Sequence, residues 1–181
     1  MQLKRPAVRA LALWVLALLV MELAGCSPAL DWREVRVPGS QALALMPCRP
    51  AEQQRQIPLA GAPTTVTLQA CSAGGLTWAL VSADVADPAR IGPALDELRT
   101  SSARNLRTAA PAGAAFVPPG STPNPGSRRA RLGGNLPDGS AAQMEAAVFT
   151  YGTWVFQATV LGEKAEVESA DTFFASLRIA S

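Results

Sequence analysis

Histidine is absent from this 181-residue chain, aromatic residues make up only 6% of it, and it holds three cysteines. Without an imidazole there is no Ser-His or Cys-His couple, no histidine metal ligand and no histidine pH switch. Charge is also sparse: 17% of residues are charged, 16 basic against 14 acidic, which leaves a formal net charge of only +2. At this length, once a targeting segment is set aside, one domain of ordinary size is expected. No residue set with metal-ligand spacing stands out, so neither a metal nor a cofactor is expected.

What is present begins with an address. Lys4, Arg5 and Arg9 precede an apolar run from Ala10 to Met21, which closes on Leu23-Ala24-Gly25-Cys26. A run of about 12 residues is too short to span ~30 Å of hydrocarbon but suits the central segment of a secretory signal. The ending resembles the lipobox of bacterial lipoproteins, in which cleavage before the cysteine is coupled to its lipidation. That resemblance implies a signal peptide over residues 1–25, a lipid on Cys26 and a short polar tether over residues 26–40. Ser27 after the lipidated cysteine implies delivery to the outer membrane, facing the periplasm; Glu22 departs from the usual pattern by placing a charge late in the apolar segment.

Removing residues 1–25 takes three of the 16 basic residues and one of the 14 acidic ones, so the mature chain holds 13 of each. A neutral domain lacks the broad positive field that nucleic acid requires, and no nucleic-acid partner is expected. Arg128, Arg129 and Arg131 form a local exception beside a Pro/Gly-rich loop. They are either a solvated loop end or a contact for an anion, a lipid headgroup or a partner.

With Cys26 assigned to lipid, Cys48 and Cys71 remain, and two thiols in an exported protein are expected to pair. The bridge would close a loop of about 24 residues and stabilise the fold by roughly 3 kcal/mol. There is no C-x-x-C spacing and no histidine to activate a thiol, so the pairing reads as structural rather than redox-active.

Gln41 to Met46 reads as a strand stopped by Pro47 and Pro50, followed by a loop rich in Gln and Pro. Thr64 to Ala70 alternates polar and apolar residues, Gly74-Gly75 supplies a turn, and Leu76 to Val85 completes a hairpin. Asp87-Pro88 is a helix start, and Ile91, Leu95, Leu98, Ser102 and Leu106 share one face of a helix over residues 88–106. Residues 109–127 hold five prolines and three glycines and read as one long loop. A brief strand over residues 129–132 and a turn region of Gly133-Gly134 and Pro137-Asp138-Gly139 follow. Residues 142–150 and 153–161 form a second hairpin about Tyr151-Gly152, and an amphipathic helix closes the chain over residues 166–177.

The order predicts an α+β domain over residues 41–181, a mainly antiparallel sheet of about five to six strands packed with two helices. This order, ending in a helix with Phe173, Phe174, Ser176 and Leu177, resembles the PsbP-type α/β/α sandwich, shared by small lipoproteins of the DcrB kind. The resemblance carries no catalytic residues and implies a role in binding and assembly. The Pro-rich loop and the two cysteines depart from it.

The remaining chemistry is thin. Asp84 and Asp87 offer two carboxylates near a strand–helix junction, with Asp87 read as a helix cap. Ser121 and Ser127 lack both nucleophile spacing and a base. Glu163, Glu166 and Glu168 around Lys164 read as a solvated helix start. Trp78 and Trp154 fall in apolar strands and are expected in the core, whereas Trp32, in the tether, caps an edge, lies at the membrane interface or contacts a partner. The sequence therefore points to a non-enzymatic, lipid-anchored envelope protein with an envelope partner. Its rivals are a periplasmic ligand binder, using an apolar cavity lined by Trp78, Phe149 and Phe156, and a hydrolase using carboxylates or serine.

Overall fold

A computed structural model describes residues 30–163 and 167–180. The signal peptide expected over residues 1–25, the expected lipid site Cys26, and Ser27, Lys164 and Glu166 lie outside the described residues, as does the side chain of Glu168.

Among the described residues there are ten strands and two α-helices: β1 (Arg33–Arg36), β2 (Ala42–Met46), β3 (Ala51–Leu59), β4 (Ala62–Ala73), β5 (Leu76–Asp84), α1 (Ile91–Asn105), β6 (Ala114–Ala115), β7 (Arg128–Asn135), β8 (Ala141–Tyr151), β9 (Trp154–Gly162), α2 (Val167–Ser176) and β10 (Arg178–Ile179). The α+β class and the antiparallel pairing hold, but the strand number exceeds the five to six predicted. Seven strands form one sheet in the order β3-β4-β5-β9-β8-β7-β6, and β1-β2-β10 form a second, smaller one.

The two hairpins form as alternation and turn residues dictate. In β4–β5, Cys71 stands opposite Trp78; in β8–β9, Phe149 stands opposite Phe156. The Asp87 carboxylate accepts from the Ala89 N–H at 2.9 Å and Pro88 opens a single 3-10 turn leading into α1. Pro93 falls in the first turn of α1, where a missing N–H breaks no helical bond. Leu95, Leu98 and Ser102 of the predicted face are buried.

Side chains then sort by strand parity into two layers. On one face of the large sheet Trp78, Leu80, Phe149, Phe156 and Val160 pack with Met46 of β2 and with Phe173, Phe174 and Leu177 from α2 and the residue after it. On the other face Leu95 and Leu98 of α1 pack on Val148 and Val155, while Leu106 packs with Leu132 and Met144. Each fully buried Phe or Leu in these layers contributes roughly 1.5–3 kcal/mol through apolar area removed from water. The large sheet is thus covered by α1 on one side and by α2 with the small sheet on the other.

Three segments depart from the sequence reading. The tether shrinks, because from Leu30 onward the chain belongs to the fold: β1 pairs with β2, the Asp31 N–H donates to the Pro47 carbonyl at 2.8 Å, and Val37 is buried. The Gln/Pro loop is instead β3, a nine-residue edge strand in which Pro58 stands opposite Pro63, so the missing donors meet across the ladder. Gly133 and Gly134 do not turn; they continue β7 to Asn135. A Cβ on Gly134 would lie 2.1 Å from the Leu106 carbonyl oxygen, so glycine is required there by the close approach of the α1 terminus. The 109–127 loop stays largely irregular, with β6 and a single bridge from Thr122 to Thr150.

Candidate binding groove

Helix α1 lies over β8 and β9 and stops short of the outer strands. The strand register places Gln53, Leu68, Val81 and Gln157 in one row across β3, β4, β5 and β9, all on the α1 face. Beside them Arg55 stands opposite Val66. Because no element covers this part of the face, a groove of about 380 Å³ opens between Leu98 of α1 and Ile57 and Leu59 of β3, floored by Val66, Leu68 and Val81. Ile57 is 39% exposed. The polar groups on its walls are Gln53, Arg55, Glu97, Ser101 and Gln157.

The groove is held open by buried polar contacts. The Gln157 amide donates to the Leu98 carbonyl at 2.9 Å and to the Ser102 hydroxyl at 2.8 Å, fixing α1 to β9. At one end, the Glu97 carboxylate accepts from the Ala60 N–H at 2.7 Å. This pins the β3–β4 turn, where Ala60 and Gly61 have φ of 50° and 80°. Both central residues at positive φ match the twist of an antiparallel hairpin. The Arg90 guanidinium reinforces the same turn by donating to the carbonyls of Leu59 at 2.6 Å and Val85 at 2.8 Å and to the Thr64 hydroxyl at 2.8 Å. It also reaches the carbonyls of Ala60 and Ala62 at 3.3 and 3.4 Å.

The residues singled out from the sequence lie elsewhere. Strand alternation separates the three arginines. Arg128 faces the α1 side and lines a small polar cleft with Asp96 and Arg99. Arg129 and Arg131 face the α2 side, where both grip the buried Glu145 carboxylate, at 2.8 and 3.2 Å. Arg129 also pairs with Asp171 and lies 4.3 Å from the centre of the Phe174 ring. These two are a structural clamp joining β7, β8 and α2 rather than a free loop end. Trp32 is half-buried, its ring edge-on to Trp78 at 5.7 Å, in keeping with a packing role.

Trp78, Phe149 and Phe156, which the rival ligand-binding reading would have lining an apolar cavity, are at most 1% exposed and pack together in the core. Trp154 is only half-buried, at the rim of that core. Cys48 and Cys71 form the expected disulfide, with a Cα separation of 6.0 Å. Asp84 caps the Ala86 N–H at 2.8 Å and Ser121 donates to the Pro118 carbonyl at 2.6 Å, so both serve local turns. Among the described residues no group of three or more Cys, Asp or Glu is arranged to hold a metal ion.

Sequence reasoning missed Arg90, Glu97, Gln157 and Glu145. Only Glu145 and Gln157 carried a usable signal, being polar residues within apolar strands that must find partners when buried. Compared with family models, curated proteins and solved structures, the chain matches none.

Proposed function

We propose that this protein is a lipid-anchored component of the bacterial cell envelope, held at the outer membrane through Cys26 and facing the periplasm, and that it works by binding an envelope protein rather than by turnover. The observation that carries the binding reading is the apolar groove beside α1. Its floor of Val66, Leu68 and Val81 stays open to water although a second helix laid beside α1 would bury it, and exposed apolar patches of this kind mark interaction sites. The occupant it suits is an apolar segment of a partner, seated between α1 and the open edge strand β3, with Arg55 and Glu97 available to its polar flank. Helices on both faces of an antiparallel sheet are also what a PsbP-type sandwich would present, and assembly roles in that family agree with this reading.

The test is site-specific photocrosslinking in the native envelope. A photoreactive residue at Ile57 is expected to give one dominant protein adduct that Leu68→Arg abolishes while the circular dichroism spectrum is retained. Equal labelling from Thr65, exposed on the opposite face of β4, would refute the groove as the docking surface. A second reading, a small apolar ligand, is favoured by the volume of about 380 Å³, within the range of ligand pockets. A lipid or metabolite released from the purified protein on denaturation would support it.

A further inference from the structure

The fold fixes which end of the domain can meet the membrane. The residues nearest the lipid site are not a free tether: the Leu30 side chain reaches to within 3.1 Å of where a Cβ on Gly74 would stand, at the β4–β5 turn. The next two residues are tied down as well, Asp31 to Pro47 and Trp32 against Trp78, whose indole N–H donates to the Ala73 carbonyl at 3.1 Å. Cys26 precedes Leu30 by four residues, which fully extended reach only ~14 Å. β4 has 12 residues and so runs for ~40 Å. An anchor tied at one end of it cannot reach the other.

We infer that the domain stands on the bilayer through the end formed by the β4–β5 turn, a statement that rests on lipidation of Cys26. The strand register puts the β7–β8 turn at this same end, since Thr77, Leu161, Met144 and Leu132 form one row across the sheet. The chemistry of the β4–β5 hairpin fits a headgroup surface. Between Arg55 and Asp84 the sequence carries no charged residue, so bringing the Ala73-Gly74-Gly75 turn to the interface desolvates no ion. Val81 lies six residues from Gly75, or ~20 Å along the strand, which holds the α1 groove clear of the membrane and open to the periplasmic space.

The experiment uses the mature lipidated protein in phosphatidylethanolamine/phosphatidylglycerol vesicles, with a fluorophore on an unnatural amino acid at Thr77 or at Thr65, both exposed. The lipids carry a nitroxide on the headgroup. Strong quenching at Thr77 with little at Thr65 is the expected result, and a long flexible insertion between Ser27 and Pro28 should erase the difference. Equal quenching at the two sites, or stronger quenching at Thr65, overturns the orientation. A Cys26→Ser control separates the two claims. If that variant leaves the vesicles, the anchor stands and only the orientation is on trial; if it stays bound, the anchor reading itself has failed.

Discussion

Replacing Arg90 by Met removes a guanidinium that no carboxylate among the described residues neutralises and that is satisfied instead by five oxygen acceptors around the β3–β4 turn. Three of these contacts, to Leu59, Thr64 and Val85, are 2.6–2.8 Å long and involve buried residues. A charge-assisted bond to a buried carbonyl can be worth more, but Arg90 itself is partly exposed, so ~1 kcal/mol for each is appropriate and the loss should total about 2–3 kcal/mol. For a domain of this size that lowers Tm by roughly 4–12 °C. Arg90→Lys should recover little of it, because a single ammonium lacks the planar fork that spans the β3–β4 turn and the β5–α1 junction together. Thermal unfolding of both variants, followed by circular dichroism, is the assay. A Met variant within ~0.5 kcal/mol of the parent, the range of ordinary surface substitutions, would refute the clamp, as would a Lys variant of full stability.

Two further outcomes test the local physics. Gly134→Ala should cost about 1–3 kcal/mol, since its Cβ would press on the Leu106 carbonyl backbone, whereas Gly133→Ala, with nothing within 4 Å, should leave the denaturation midpoint nearly unchanged. Asp138 accepts from the Ser140 hydroxyl and then from its backbone N–H, which together hold its pKa below the ordinary aspartate value. The Asp138 contribution to stability is therefore complete above its unfolded pKa and is lost as pH falls through the lower folded one. An NMR titration should place Asp138 below a free aspartate, and Ser140→Ala should move it upward.

The fold was legible where a local pattern and its tertiary use agree. β4–β5 and β8–β9 have alternation, a turn and a partner next in sequence, and α1 has a cap, a proline and a stripe. β3 was illegible because an edge strand exposed on eight of nine residues needs no apolar face, so its Glu, Gln and Arg read as loop. β1 was illegible for a related reason, its four residues, Arg33-Glu34-Val35-Arg36, offering a single apolar position. Gly133-Gly134 misled because a glycine required by close approach looks in one dimension like a glycine required by a turn. Arg128, Arg129 and Arg131 misled because adjacency in a strand means opposition in space.

The groove could not be read in advance because it depends on which half of a face a helix fails to cover. β4 shows how. Thr67 and Gln69, its polar alternates, are the buried ones, at 7% and 6% exposure, with the Gln69 amide donating to the Arg36 carbonyl at 3.3 Å beneath β1. Val66 and Leu68, which the alternation assigns to the core, are the half-open ones. A long hairpin with no charge between Arg55 and Asp84 would, if left as the sheet edge, invite pairing with any extended chain. β3 supplies the protection: its Glu52, Arg55 and Pro58 put charge and a missing donor on the outermost strand while its partner strand keeps its apolar surface. The sheet is thus guarded along its edge but open on its face beside α1. Shielding one route of association while leaving the other exposed is what the proposed docking surface requires.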